Sequence, residues 1–308
     1  MMPRYRIKNK KASEVVNSLR EITSTSNIKS MDPLTNIGAL IVDMDGVLWH
    51  GDQPLPGLAN FFNALRNRQR PFILATNNSS MTPDQYVVKL ERMGVPVTRD
   101  EILTSGMATA LYLAEHPDID PASTNVFVIG ENGARQPLVD RGFTLTEEYP
   151  RNETRKNIED SRVDIVVCGL DRELSWNKLA TAALNIRNGA KFIGTNADTT
   201  LPSERGVSPG NGAILAALEA ATGIAPTIIG KPEPIIYQQA LALLGVDPAE
   251  TVAIGDRLDT DILGAVRTHI RSILVLTGIS TEEDLKSVDF KPTWIMPDIQ
   301  SVTQAMLD

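Results

Sequence analysis

From residue 37 onward the chain alternates short apolar runs with longer amphipathic stretches. Residues 37–42 are apolar apart from Gly38, the pattern of a strand buried on both faces, and 72–75, 227–229 and 252–254 repeat that form. Between them, 58–68, 83–93, 212–221 and 235–244 predict helices, with Gly94 and Gly245 placed where a helix commonly ends in a left-handed residue. This alternation predicts an α/β fold with a doubly wound, Rossmann-like parallel sheet. The middle of the chain reads as a second α/β unit, with strands at 126–129, 165–168 and 191–194 and helices at 135–141 and 175–188. Turn-rich segments at 116–124 and 198–210, carrying Pro117, Pro121, Pro202 and Pro209, flank that unit as hinges would. The expected organisation is an N-terminal arm at 1–36, a core made of 37–117 and 208–308, and a domain at 118–207 inserted into it.

Polar residues fall where the apolar runs end. The first run delivers Asp43-Met44-Asp45-Gly46, the second Thr76-Asn77, the third Gly230-Lys231-Pro232 and the fourth Gly255-Asp256, with Asp259 and Asp261 close behind. The carboxyl ends of parallel strands are where open α/β sheets bind ligands. Asp43 and Asp45, two apart in extended chain, project to the same side, so one can attack a reacting atom while the other moves protons. Thr76 and Asn77 offer a hydroxyl, an amide and backbone N–H groups suited to phosphoryl oxygens. Lys231 suits charge neutralisation. Each feature also has a plainer reading: an Asp-Gly turn, a helix cap at Ser79 or Thr82 before Pro83, a surface lysine, and aspartates compensating a helix dipole.

Charge narrows the chemistry. Asp43, Asp45, Asp256 and Asp261 bring four negative charges against one from Lys231, and no phosphate approaches such a cluster unaided. A hard divalent ion held by oxygen ligands resolves the conflict, which points to Mg²⁺. The whole chain of 308 residues carries a formal charge of -8. Its first thirty residues hold seven Lys/Arg against two Glu, so the arm is basic by five and the rest carries -13. Within the arm Val15, Val16, Leu19 and Ile22 share one helical face, and Met31 is a candidate internal start. The acidic balance argues against nucleic acid and anionic membrane as partners, and no run reaches the ~20 apolar residues of a bilayer span. One cysteine, Cys168, excludes an intramolecular disulfide or a multi-cysteine metal site and fits a reducing, cytoplasmic setting. Three histidines, His50, His116 and His269, are too widely spaced for a zinc-protease motif. No G-x-G-x-x-G follows the first strand, and Gly230-Lys231 lacks the spaced glycine of a P-loop.

The string IVDMDGVLWHG, followed in order by ATNNS, IGKPEP and AIGDRLDTDI, resembles the haloacid dehalogenase superfamily of phosphotransferases. The insertion between the second and third motifs resembles the cap of its class IIA, the group containing NagD-like and p-nitrophenyl phosphatases. The resemblance covers residue 37 to the C-terminus and implies a magnesium-dependent hydrolase of small phosphorylated metabolites. It implies that Asp43 becomes an aspartyl phosphate and that Asp45 is the general acid and base. Asp43, the backbone carbonyl of Asp45 and Asp256 would hold Mg²⁺, with Asp261 supporting the metal shell. Thr76, Asn77 and Lys231 would bind the transferring phosphoryl group. The cap would select the leaving group, with Asp171, Arg172, Asn196 and Asp198 as candidate contacts, and would form a homodimer contact. A noncatalytic binding protein and a phosphomutase are the alternative readings.

Overall fold

A computed structural model describes residue 34 and residues 37–150, 163–203 and 206–307. The basic arm, with its amphipathic face and Met31, lies outside the described residues. Residues 36–308 form one compact unit.

Six parallel strands form the first sheet, in the order Trp294–Met296, Arg271–Val275, Thr251–Gly255, Ala39–Val42, Phe72–Thr76 and Ile102–Thr104. Ala39–Val42 and Phe72–Thr76 are buried along their whole length, as runs without polar alternation require when helices cover both faces. The chain winds from Ala39–Val42 out to Ile102–Thr104 and later returns to the other flank of Ala39–Val42 through Thr251–Gly255. The strand order therefore reverses between Ala39–Val42 and Thr251–Gly255, which are in register from Ala39 opposite Thr251 to Val42 opposite Ile254.

The second sheet is also parallel, in the order Thr227–Ile228, Lys191–Gly194, Ile165–Cys168, Asn125–Ile129 and Thr144–Thr146. Its side chains alternate between two apolar clusters. Phe127, Ile129, Val166 and Cys168 pack beneath helices Trp176–Arg187 and Asn211–Thr222 through Ala182, Ile186, Ile214 and Leu218. Val126, Val128, Ile165 and Val167 join a cluster that reaches Ile41, Ile73 and Ala253 of the first sheet. The two sheets thus share apolar packing through helix Ser105–Glu115, which contacts helix Asn132–Asp140. That approach is close enough that a Cβ on Gly106 would lie 2.1 Å from the Gly133 carbonyl oxygen.

Two expectations are corrected. The run at 227–229 belongs to the second sheet, because Thr227 and Ile228 pair with Ile193 and Gly194 and Ile229 N–H donates to the Gly194 carbonyl at 3.0 Å. Helix Asn211–Thr222 packs with that sheet as well. The turn-rich segment at 198–210 contains an antiparallel hairpin, Thr200–Ser203 with Gly206–Pro209. Its two prolines and two glycines are equally the mark of a hinge, which is why composition alone does not reveal the strands.

Candidate active site

Asp43 follows the last residue of Ala39–Val42, and its N–H donates to Ile254 O of the neighbouring strand at 2.8 Å. Its carboxylate therefore stands at the point where the strand order reverses. Met44 turns into the core and is fully buried, while Asp45 is exposed. Gly46 then adopts φ +86, and a Cβ there would lie 2.6 Å from Asp256 Oδ2, so the turn brings backbone against that carboxylate. Asp256 comes from the end of Thr251–Gly255 and Asp261 from the turn Leu258–Ile262 behind it.

Lys231 reaches these carboxylates from the edge of the second sheet. Gly230 N–H donates to Thr195 O at 2.9 Å, continuing the pairing of Thr227–Ile228. The Lys231 ammonium is buried and donates to Asp43 Oδ1, to Asp261 Oδ1 at 2.7 Å and to Ala75 O at 3.2 Å, which uses all three of its protons. Burial alone would favour the neutral amine, but Asp261 and Asp43 outweigh it and hold Lys231 charged well above its ordinary pKa. Burial pushes Asp43 well up despite the opposing Lys231, with Asp261 and Asp256 adding to the rise. Asp256 is pushed up to about 6, by burial first and then by Asp261. Lys231 is thus raised by its carboxylate neighbours and Asp43 and Asp256 by burial first, with one ammonium facing three carboxylates.

That surplus of carboxylates makes the cluster a candidate cation site. Ligand oxygens of Asp43, Asp256 and Asp261 lie within 4.8 Å of one another. Asp256 Oδ2 accepts from Ile279 N–H at 2.8 Å, whereas Oδ1 is buried without any hydrogen-bond partner. An orphaned anionic oxygen in that position is costly unless a cation meets it. Both Asp261 oxygens are engaged, Oδ1 by Lys231 and Oδ2 by Arg257 N–H at 3.1 Å, so Asp43 and Asp256 are the open donors. The set is all oxygen and fits a hard divalent ion.

The remaining candidates divide. Thr76 lines the same cavity, and its Oγ1 accepts from Asn78 N–H at 3.1 Å. Asn77 is more committed than its sequence position suggests. Its Oδ1 accepts from Lys231 N–H at 2.7 Å, while Nδ2 donates to Lys231 O at 2.9 Å and to Asp198 Oδ2 at 3.1 Å. The amide therefore grips the Lys231 backbone on both sides, leaving the Asn77 backbone N–H as the group that could meet a phosphoryl oxygen. The cavity encloses about 590 Å³ between the two sheets, and Arg172, Asn196 and Asp198 line it. Arg172 is forked onto Glu131, Asn196 Nδ2 donates to Asn77 O at 2.8 Å, and Asp198 approaches Arg257 at 4.0 Å. Asp171 does not line the cavity. It closes an Asx turn onto Glu173 N–H at 2.9 Å and pairs with Lys178 at 2.8 Å, which accounts for both its oxygens.

Sequence reasoning passed over Trp49, whose indole Nε1–H donates to Asp45 Oδ1 at 2.8 Å. The signal was present in the four-residue spacing after a glycine turn. Arg257, paired with Asp259 at 2.8 Å and lining the cavity, was likewise not singled out.

With this geometry in hand, comparisons with known proteins are decisive. Residues 40–144 match the haloacid dehalogenase-like hydrolase model, and residues 228–302 match a second model of the same family. The acid sugar phosphatase of Staphylococcus saprophyticus is 38% identical over 273 residues, which covers 89% of this chain and 99% of that protein. The chain belongs to the haloacid dehalogenase-like hydrolases. Among solved structures, NagD from E. coli K-12 is 34% identical with a TM-score of 0.76, over 85% of this chain and 97% of that one. A 4-nitrophenylphosphatase from Thermotoga maritima is 34% identical with a TM-score of 0.79, over 89% and 98% respectively. These likenesses place this hydrolase in class IIA, the NagD-like branch. Among the described residues no helix is long and apolar enough to cross a membrane.

Proposed function

We propose that this hydrolase cleaves phosphomonoesters of small phosphorylated metabolites, sugar phosphates first among them, through an aspartyl phosphate on Asp43. The observation that carries the reading is the pairing of Asp43 with a fully engaged Lys231 beside the orphaned Asp256 oxygen, in the cavity that Thr76 and Asn77 also line. Asp43 forms the bond to phosphorus while the ester oxygen departs, and Asp45 hands that oxygen a proton. Asp45 then takes a proton from the water that cleaves the acyl phosphate, regenerating Asp43. Lys231 opposes the burial that raises Asp43, favouring its ionised form, and offsets charge on the phosphoryl oxygens, which the Thr76 hydroxyl and the Asn77 N–H also receive. Asp43, the Asp45 carbonyl and Asp256 would hold Mg²⁺, with Asp261 fixing Lys231 and the turn behind it; the ion supplies positive charge to the transferring phosphoryl group.

On the strand pairing and helix packing above, residues 118–229 are the cap and 37–117 with 230–308 the catalytic core. Donors and acceptors from Arg172, Asn196, Asp198 and Arg257 suit a hydroxyl-rich leaving group, in keeping with the sugar phosphatase named among the relatives. A screen over sugar phosphates, glycerol phosphate, nucleoside monophosphates and phosphoglycolate, with Mg²⁺ and with chelator, tests the reading. Phosphate release should require the metal and should fall at least ~10³-fold in Asp43→Asn. Near-wild-type turnover by that variant, or undiminished turnover with chelator, would exclude the mechanism.

A further inference from the structure

We propose that Trp49 is a positioning residue for Asp45, fixing which carboxyl oxygen carries the proton delivered to the leaving group. The inference rests on the reading of Asp45 as general acid. The chain leaves Ala39–Val42, turns at Gly46 and comes back on itself. Gly46 N–H donates to Trp49 O at 2.9 Å, Leu48 N–H to Met44 O at 2.8 Å, and Asp45 forms an isolated bridge with Trp49. This closed turn places the indole of Trp49 against the carboxyl of Asp45, with Nε1 to Oδ1 at 2.8 Å.

The indole itself is held from several sides. Trp49 is fully buried, its ring stacks on Tyr86 at 6.4 Å with 24° between planes, and the Lys89 ammonium lies 4.6 Å from its centroid. Lys89 in turn donates to Gly51 O at 2.7 Å, closing the hairpin that carries Trp49. Asp45 is otherwise exposed, so a free carboxyl there would sample several rotamers. The hydrogen bond from the buried indole selects one of them.

The chemistry of the donor makes the selection directional. An indole N–H can only donate, so Oδ1 must remain an acceptor whether Asp45 is ionised or neutral. The acidic proton therefore resides on Oδ2. In the first half-reaction the Asp43–phosphorus bond forms, the phosphorus–ester oxygen bond breaks, and the Oδ2 proton moves to the departing oxygen. In the second, the same oxygen receives the proton of the attacking water. A carboxyl free to rotate would present its proton to the leaving group for only part of the time.

Leaving-group dependence tests this without relying on the amount of active protein. A 4-nitrophenolate departs with little help from an acid, whereas an alkoxide needs the proton. In Trp49→Phe, which keeps the aromatic body and removes the donor, kcat/KM for glycerol phosphate should fall about tenfold more than for 4-nitrophenyl phosphate, the scale of one hydrogen bond to a charged group. Asp45→Asn, measured alongside, should show the same dependence to a greater extent. If Asp45→Asn lowers both substrates equally, the general-acid reading fails. If Asp45→Asn is selective but Trp49→Phe lowers both equally or neither, the positioning proposal fails. A measurement that leaves Trp49 intact covers a Trp49→Phe chain that does not fold: in Asp45→Asn the Trp49 indole N–H resonance should shift, while those of Trp176 and Trp294 stay in place. An unmoved Trp49 resonance overturns the proposal.

Discussion

Replacing Asn77 separates a side chain that builds the site from one that merely touches substrate. Its amide makes two hydrogen bonds to the Lys231 main chain and one to Asp198, at 2.7 to 3.1 Å. Both Asn77 and Lys231 are buried. In Asn77→Ala the N–H and carbonyl of Lys231 lose their partners together, and each unsatisfied buried group costs ~1–3 kcal/mol, so the substitution should destabilise the metal-free, substrate-free protein by ~2–5 kcal/mol. For a chain of this size that corresponds to roughly 4–9 °C in Tm. Asn77→Asp is the sharper comparison. It keeps the acceptor for Lys231 N–H but turns the donating nitrogen into an oxygen facing Lys231 O and Asp198 Oδ2, so the isosteric change should cost at least as much as alanine. Urea unfolding of the three proteins in chelator supplies the measurement. Variants within about 0.5 kcal/mol of wild type, with only KM raised, would refute the clamp and return Asn77 to a simple phosphate contact.

Two further outcomes follow from burial. A carboxyl with a folded-state pKa of about 6 against an ordinary 3.8 binds its proton more tightly in the folded chain, so its contribution to stability falls as pH rises from about 4 through 6. Metal-free Asp256→Asn should therefore be more stable than metal-free wild type above pH 6, the two should converge near pH 4, and Mg²⁺ should stabilise wild type alone. A difference independent of pH would contradict the unpaired-carboxylate account. Cys168 is fully buried, burial pushes its thiol pKa up, and its Sγ lies 3.3 Å from Asn211 Oδ1. Native protein should resist a thiol reagent that labels the urea-unfolded chain to completion, and stoichiometric native labelling would count against this packing.

The residues that proved legible from sequence are those whose chemistry and chain position coincide. Asp43 directly follows the apolar run at 37–42 and Asp256 stands two residues beyond that at 252–254, so their strand-end placement could be read without knowing which strands pair. The role of Asn77 could not, because its partners Lys231 and Asp198 are 154 and 121 residues away and only the fold brings them together. Membership of 227–229 failed for a related reason: two paired residues at a sheet edge carry no mark of which sheet they join. Strands Arg271–Val275 and Trp294–Met296 went unread because the first opens on Arg271-Ser272 and the second has three residues. The hairpin at 200–209 was obscured by prolines, which an antiparallel pair accommodates at its edges.

The placement of Lys231 has a mechanical consequence for the cap. The strand before it is hydrogen-bonded to the sheet of the proposed cap, while its ammonium is bound to carboxylates of the first sheet, so the charge pair at the proposed reacting centre lies on the seam between the two sheets. Other ties cross the same seam: Asn77 to Asp198, Asn196 to Asn77 O, Arg99 to Asp140, and the glycine approach of Gly106 to Gly133. Rotating the cap as a rigid body would break several of these at once and drag Lys231 from Asp43. Exposed pairs such as Arg99 with Asp140 contribute little individually, but the buried contacts at Asn77 and Lys231 are costly to leave unmade. Access to Asp43 is therefore better served by small movements at the rim, where Arg172 and the hairpin residue Leu201 line the cavity, than by swinging the cap open.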